Sequence, residues 1–328
     1  MESSVRVISR TENVALVIPT LNAVRWWGEL HRSLLAQSVR PEQVIIVDSM
    51  SDDGTADLAR AAGYRVAPVR RSEFDHGATR QFAVNLAERA GAVVFLTQDA
   101  VLVEPDALQL LLSALDDPSV AVAYGRQRAR PHSGDIEAHA RAFNYPAFSR
   151  VTSLADVAQI GLKAAFCSNS FAAYRREALM QVGGFPSDTI FGEDTLVAAK
   201  LLLQGWKVAY CADACVYHSH DYSYAQEFRR YFDVGVMHTR ERWLIDQLGE
   251  PANEGARFVR SEIRFLMKTS PWLIPSALLR SAIKYCSYQL GRREHLLPRA
   301  LKKTISLNRN FWIRENARAG GNGTMPLA

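Results

Sequence analysis

Apolar positions in the first hundred residues follow two different periods. Runs such as "VALVIPTL" (14–21), "QVIIVDSM" (43–50) and "AVVFLTQDA" (92–100) are nearly continuous and end in turn-formers. Between them, "WWGELHRSLLAQS" and "GATRQFAVNLAERAG" repeat apolar residues every three or four positions. The first pattern predicts buried strands and the second predicts amphipathic helices. A helix from about Thr55 to Gly63 and a short strand near "YRVAPV" complete the alternation. Strands alternating with helices predict an α/β domain with a mostly parallel central sheet flanked by helices, and a ligand site beyond the carboxyl ends of the strands. Asp48 and Asp99 both stand at such ends.

After Pro105 the pattern is mixed. A helix "DALQLLLSALDD" and a strand "VAVAYGRQRAR" lead into a loop rich in His, Arg and Pro. "GWKVAYCADACVYHSH" reads as strand, turn and strand, and from Tyr224 onward the spacing is helical. The tail "ARAGGNGTMPLA" is expected to lack order. With no clean linker in view, residues 1–250 read as one domain and residues 251–328 as a C-terminal helical extension.

Composition narrows the class. At 328 residues and 48% apolar content the chain can bury a substantial core. Its apolar runs stop short of the roughly 18–20 residues that span a bilayer. "MESSVRVISRTENV" lacks the apolar centre of a signal peptide, and four cysteines are too sparse for a disulfide framework, so a cytoplasmic location is expected. Net charge is +5, unevenly placed: residues 1–250 carry 25 basic against 30 acidic residues, and residues 251–328 carry 14 against 4. A basic C-terminal end points to an anionic surface, to nucleic acid, or to a merely solvated face. Nucleic acid fits poorly, because the basic excess lacks the interleaved aromatics of a recognised binding module.

No G-x-G-x-x-G follows the first strand and no Walker A motif occurs, which removes the usual nicotinamide and P-loop signatures. Polar strand ends in "PTLNA", "VDSMSDDGT" and "LTQDA" instead converge on one rim. "FGEDT" (191–195) adds two carboxylates at the start of a helical run, where helix capping alone is one explanation. These strings resemble family 2 glycosyltransferases of the GT-A fold. With "FCSNSFAAYRREAL", "FGEDTLVAAKLLLQGWKVAY", "HSHDYS" and "QEFRRYFDVGVMH" following in order, the region from about Val14 to about His238 is similar to bacterial rhamnosyltransferases within that family.

The resemblance implies a Rossmann-like GT-A domain and a role for each matching residue. Pro19, Thr20, Asn22 and Gln98 would line the donor nucleotide pocket, and Asp48 would accept the N3–H of a pyrimidine base. Asp52 either reaches the base or sugar or forms an Asx turn before the next helix. Arg80, in "DHGATRQFAVN", would lie near base and diphosphate, with His76 shaping the loop. "TQDA" stands where the family carries Asp-x-Asp, with Thr97 in place of the first aspartate. A Mg2+ or Mn2+ ion would then be held by Asp99, His220 and the donor diphosphate. His218, two positions away, shares a face with His220 if the segment is extended. Asp194 is the implied general base and Glu193 a loop-orienting or acceptor residue. Arg229, Arg230 and Tyr231 are further acceptor or diphosphate candidates. Cys211 and Cys215, spaced C-x3-C before H-x-H, match structural zinc poorly. Packing explains Trp26 and Trp27 better than sugar stacking does, and Phe166 and Cys167 would wall the donor sugar.

The implied reaction is inverting transfer of L-rhamnose from dTDP-β-L-rhamnose to a glycan acceptor in cell-surface polysaccharide synthesis. A UDP-sugar or another dTDP-sugar is the alternative donor. An acceptor carried on polyprenyl diphosphate would bring the enzyme to the inner face of the membrane. The basic, helically spaced tail, with Arg280, Lys284, Lys302 and Lys303, would contact lipid there, while its apolar faces pack on the domain or form a homodimer.

Overall fold

The computed structural model describes residues 13–250 and 254–321. Its first half alternates as the periodicity requires: β1 (Val14–Thr20), α1 (Val24–Leu35), β2 (Gln43–Asp48), α2 (Thr55–Ala61), β3 (Arg65–Pro68), α3 (His76–Leu86) and β4 (Ala92–Leu96). These strands pair in parallel in the order β3-β2-β1-β4. All of β4 and nearly all of β1 are buried, because helices cover both faces of the sheet, and this is why the strands read as continuous apolar runs.

The second half makes the sheet mixed. It contributes β5 (Val101–Leu102), α4 (Ala107–Ser113), β6 (Val120–Arg128), α5 (Asp135–Asn144), β7 (Arg150–Thr152), α6 (Val157–Ile160), β8 (Phe171–Arg175), α7 (Arg176–Gln181), α8 (Glu193–Leu203) and β9 (Lys207–Tyr217). β8 inserts antiparallel between β4 and β6, β9 runs parallel beside β6, and the whole sheet reads β3-β2-β1-β4-β8-β6-β9-β5, with β7 on β9. The expected strand, turn and strand is a single strand with a bulge: Gly125 pairs with Cys211 but Arg126 pairs with Cys215. Helix α5 replaces part of the expected loop. Its sequence "DIEAHARAFN" buries only His139.

Six helices follow: α9 (Tyr224–Arg240), α10 (Arg242–Leu248), α11 (Glu254–Thr269), α12 (Ile274–Gly291), α13 (Arg299–Ile305) and α14 (Arg309–Gly321). Ser223 and Gln226 form a capping box that starts α9. The first residues of the tail expected to lack order belong to α14, and those from 322 lie outside the described residues. α12 lies along α9 at backbone contact, for a Cβ on Gly291 would sit 2.1 Å from the Phe232 carbonyl oxygen and one on Gly235 would sit 2.2 Å from that of Tyr288. Beside this crossing, Glu227 receives Arg280 at 3.0 Å and Lys284 at 3.4 Å. Glu294 receives Arg240 at 2.7 Å and also Lys302. Three of the tail's basic residues therefore turn inward to neutralise buried carboxylates. α14 buries Trp312 against Phe232 and sends Arg314 to Asp75 at 2.6 Å.

Replacing Gly291 by alanine must push the two helices apart, since the obstructing atoms are backbone. The expected loss is about 1–3 kcal/mol of stability, seen as a lower thermal midpoint. Gly255→Ala, with open space around its Cβ, serves as the control and should leave the midpoint unchanged or raise it. A Gly291→Ala protein melting at or above the wild-type temperature would contradict the close crossing.

Candidate active site

The two carboxylates of "FGEDT" form the first turn of α8, which Gly192 starts with a left-handed φ of 80°. Met237 of α9 packs there, its Cε 3.2 Å from where a Cβ would sit. Glu193 is buried, and its Oε1 accepts from Arg80 Nη1 at 2.9 Å and from Asn169 Nδ2 at 3.2 Å. Asn169 is held in turn by the Tyr174 hydroxyl, which donates to Oδ1 at 2.7 Å. Asp194 is partly buried. Its Oδ2 accepts the Asn169 N–H at 3.1 Å and its Oδ1 the Thr195 N–H at 2.8 Å. Burial, and then the adjacent charge of Glu193, push the Asp194 carboxyl up to about 6. Burial opposes ionisation of Glu193 most strongly, but the Arg80 guanidinium, His76 and the hydrogen bonds from the backbone and Asn169 together outweigh it and hold Glu193 below its ordinary value. One acid is thus kept ionised beside another that titrates near neutrality.

A second cluster lies beyond β4 and β9. Asp99, His218 and His220 place their ligand atoms within 4.8 Å of one another. His218 Nε2 is 3.5 Å from Asp99 Oδ1, His220 Nε2 is 3.4 Å from Oδ2, and the two Nε2 atoms are 3.2 Å apart. Gln127 Oε1 stands 2.9 Å from His218 Nδ1 and accepts from Arg141 at 2.7 Å, while the Gln127 amide donates to Ser168 at 2.8 Å. That network makes the Gln127 oxygen the acceptor, so Nδ1 carries the proton and Nε2 keeps its lone pair for a ligand. Burial and then His218 lower His220 to about 4, leaving a neutral imidazole. Burial also works against ionised Asp99, but His218 and His220 hold its carboxyl well below the usual range. Two imidazoles and one carboxylate aimed at a common point are a donor set that fits a divalent ion. Thr97, which replaces the family's first aspartate, keeps its hydroxyl buried and without a hydrogen-bond partner among the described residues.

The rim expected for the nucleotide is built from interlocked loops. Thr20 and Ser51 hydroxyls donate to Asp48 Oδ1 at 2.8 and 2.6 Å, and the Ser51 N–H donates to Oδ2 at 2.8 Å. This leaves Oδ2 an accepting site for a further donor. Pro19, next to last in β1, is partly exposed. Asn22, at a φ of 50°, accepts the Asp52 N–H at 3.1 Å. Gln98 exchanges two hydrogen bonds with the Leu21 backbone, at 2.7 and 3.1 Å, and so ties the end of β4 to the end of β1. Asp52 pairs with Arg71 at 3.0 Å, a partner the motif pattern did not single out. Trp26 lies under Arg130, 4.6 Å from its guanidinium, and Trp27 is buried against His31, so both pack.

Other expected site residues part company. Arg80 is buried and pairs with Glu193. Arg230 lies over the Phe191 ring at 4.9 Å and the Tyr222 ring at 5.8 Å, and Tyr222 stacks on His220 at 5.2 Å. One helical step away, Tyr231 faces α12, with Lys284 Nζ 5.6 Å from its ring. Arg229 makes no ion pair among the described residues, and Cys211 and Cys215 stand apart from the metal-type cluster. Asn169, Gln127 and Tyr174 were missed as supporting residues. For His218 the H-x-H spacing carried the signal, since alternate residues in an extended segment share a face.

Residues 12–235 match the family described as glycosyltransferase like family 2. The O-antigen chain rhamnosyltransferase RfbN of Salmonella typhimurium is 41% identical over 300 residues, covering 91% of this chain and 96% of its own. WbaN of Salmonella anatum, with the same description, is 42% identical over 298 residues, covering 90% and 95%. Among solved structures, a mannosyltransferase from Pyrobaculum calidifontis in complex with GDP-Man and Mn2+ superposes with a TM-score of 0.53 at 18% identity, covering 95% of this chain and 88% of its own. TarS of S. aureus in complex with UDP gives 0.52 at 17%, covering 96% and 94%. At such identities the two structures establish a shared GT-A fold. A family match over most of the chain, with relatives above 40% identity along nearly its whole length, shows that this protein belongs to the family 2 glycosyltransferases.

Proposed function

We propose that the protein transfers L-rhamnose, with inversion, from dTDP-β-L-rhamnose to a glycan acceptor carried on polyprenyl diphosphate. The observation that carries the chemistry is Asp194, a partly buried carboxylate fixed by two backbone N–H groups and raised to about 6. A general base works best when its pKa lies near the operating pH and its orientation is fixed. Asp194 takes the proton of the acceptor hydroxyl, and that oxygen bonds to the anomeric carbon from the face opposite the diphosphate. The anomeric carbon's bond to the diphosphate oxygen breaks, and the nucleoside diphosphate departs. Glu193 and Arg80 act as positioning residues beneath the base. Asp99, His218 and His220 would hold a divalent ion, which when bound supplies charge neutralisation to the leaving diphosphate. Imidazole nitrogen suits a transition ion better than Mg2+, which prefers oxygen ligands, so the donor set favours Mn2+. Asp48 offers its remaining acceptor site to the base N3–H. Rhamnose as the sugar is supported by the names of the two Salmonella relatives.

Transfer assays with a panel of dTDP- and UDP-sugars test the donor, and faster turnover with any other sugar nucleotide would displace dTDP-rhamnose. Asp194→Asn is expected to retain nucleotide binding while transfer falls by about 10²–10⁴-fold, because the amide keeps the shape but cannot take a proton. Near-normal turnover in that variant would remove Asp194 from the role of base. A base acts in its ionised form, so kcat/KM should drop on the acid side with an apparent pKa of about 6 and level off above it. A profile flat down to pH 5 would contradict this. Replacing Gln127 by leucine frees the His218 tautomer and should weaken Mn2+ binding, measured by calorimetry with dTDP present, by about 10–100-fold. Unchanged Mn2+ affinity would argue against the Asp99–His218–His220 site.

A further inference from the structure

Helices α11 and α12 lie side by side as a hairpin, with Lys284 Nζ 5.3 Å from the Phe258 ring. The inner face of the hairpin is fully used. Glu227 takes Arg280 and Lys284, Leu266 and Glu262 are buried, and Ser261 meets His139 of α5 at 2.8 Å. The outer face is not. On α12 the helical period places Leu278, Leu279, Ala282, Tyr285 and Cys286 on one stripe, opposite the buried Ala277, Ser287 and Gly291. Leu279 is 51% exposed and Tyr285 66%. Trp272, in the turn between the helices, is 74% exposed, and Leu296, past the far end of α12, is 69% exposed. On α11 the solvent side carries Arg260, Arg264 and Lys268, all exposed. Unlike Arg257, which pairs with Glu254 at 3.6 Å, none of these three has an acidic partner among the described residues.

We propose that this outer face docks on an anionic lipid surface. Trp272 and the α12 stripe would enter the boundary between headgroups and acyl chains, and the basic strip of α11 would meet the lipid charges. A helix that buries its ionic side in protein and shows its apolar side to water has the inverse of the usual soluble pattern, and an apolar stripe flanked by basic residues is what an interfacial helix needs. A tryptophan at the hairpin turn suits the headgroup level. Charge complementarity favours lipid over a second copy of the chain, because a two-fold contact through this face would bring basic strips together. No described helix is long and apolar enough to cross a membrane, so the contact would be peripheral. The proposal does not depend on which sugar is transferred.

Sedimentation of the full chain with vesicles tests it. Binding to phosphatidylglycerol vesicles and much weaker binding to pure phosphatidylcholine vesicles is expected, with a loss at high salt. The Trp272→Ala/Leu279→Ser/Tyr285→Ser variant should bind about tenfold more weakly, and Arg260→Gln/Arg264→Gln should weaken binding to the anionic vesicles alone. Thermal midpoints close to wild type would show that these surface changes leave the fold intact. Equal binding to both lipids, or unchanged binding by the triple variant, would overturn the proposal. So would a wild-type dimer in light scattering that the triple variant dissociates while neither protein binds vesicles, since a second copy would then cover the face.

Discussion

Arg80 and Glu193 meet at 2.9 Å with side chains only 8% and 7% exposed, and they join segments more than a hundred residues apart in the chain. A carboxylate buried this deeply stays ionised only beside a compensating charge, and removing one partner of such a pair costs about 3–5 kcal/mol. The pair therefore pins the start of α8 to α3, and Asn169, hydrogen-bonded to the same oxygen, adds the loop before β8. It also sets the chemistry. Burial, and then the charge kept on Glu193, make the neighbouring Asp194 resist ionisation, so it rises into the range useful to a base. One ion pair thus places the reactive carboxylate and adjusts its proton affinity.

The histidine pair depends on a different constraint, the register of β9. Between the pairs Gly125–Cys211 and Arg126–Cys215 the strand takes in three residues that have no counterpart on β6. An odd insertion reverses which side chains face each side of the sheet. The bulge thereby turns the end of β9 so that His218 meets Gln127 and both imidazoles meet Asp99. Gln127 in turn is held from α5 through Arg141. Helix α5, which stands where a loop was expected, thus helps to orient His218.

The C-terminal helices complete the site by fixing α9. Glu227, Tyr231 and Gly235 on one face of α9 engage α12, while Arg230 and Met237 on the other lie beside Phe191 and Gly192. Asp233, on the same helix, receives three hydrogen bonds from Leu307 and Asn308, so the approach to α14 is tied in as well. The extension is bound through buried ions and backbone contact. That leaves the side of α12 that carries Leu278, Leu279 and Tyr285 facing outward.

The parallel half of the sheet was legible because strands buried on both faces must be apolar at every position, and the short loops after them had to carry the polar groups. "FGEDT", the polar strand ends and H-x-H could be read locally, since each packs its chemistry into adjacent or alternate residues. Partners distant in sequence could not. That Arg80 pairs with Glu193, that Tyr231 meets Lys284, and that Arg280, Lys284 and Lys302 turn inward all follow from long-range pairing. Helical spacing tells which residues share a side of a helix, but not whether protein or solvent lies against it. In α12 the tertiary structure settled that question in favour of charge, because buried Glu227 required cations and Gly235 and Gly291 let the two backbones approach closely enough to deliver them.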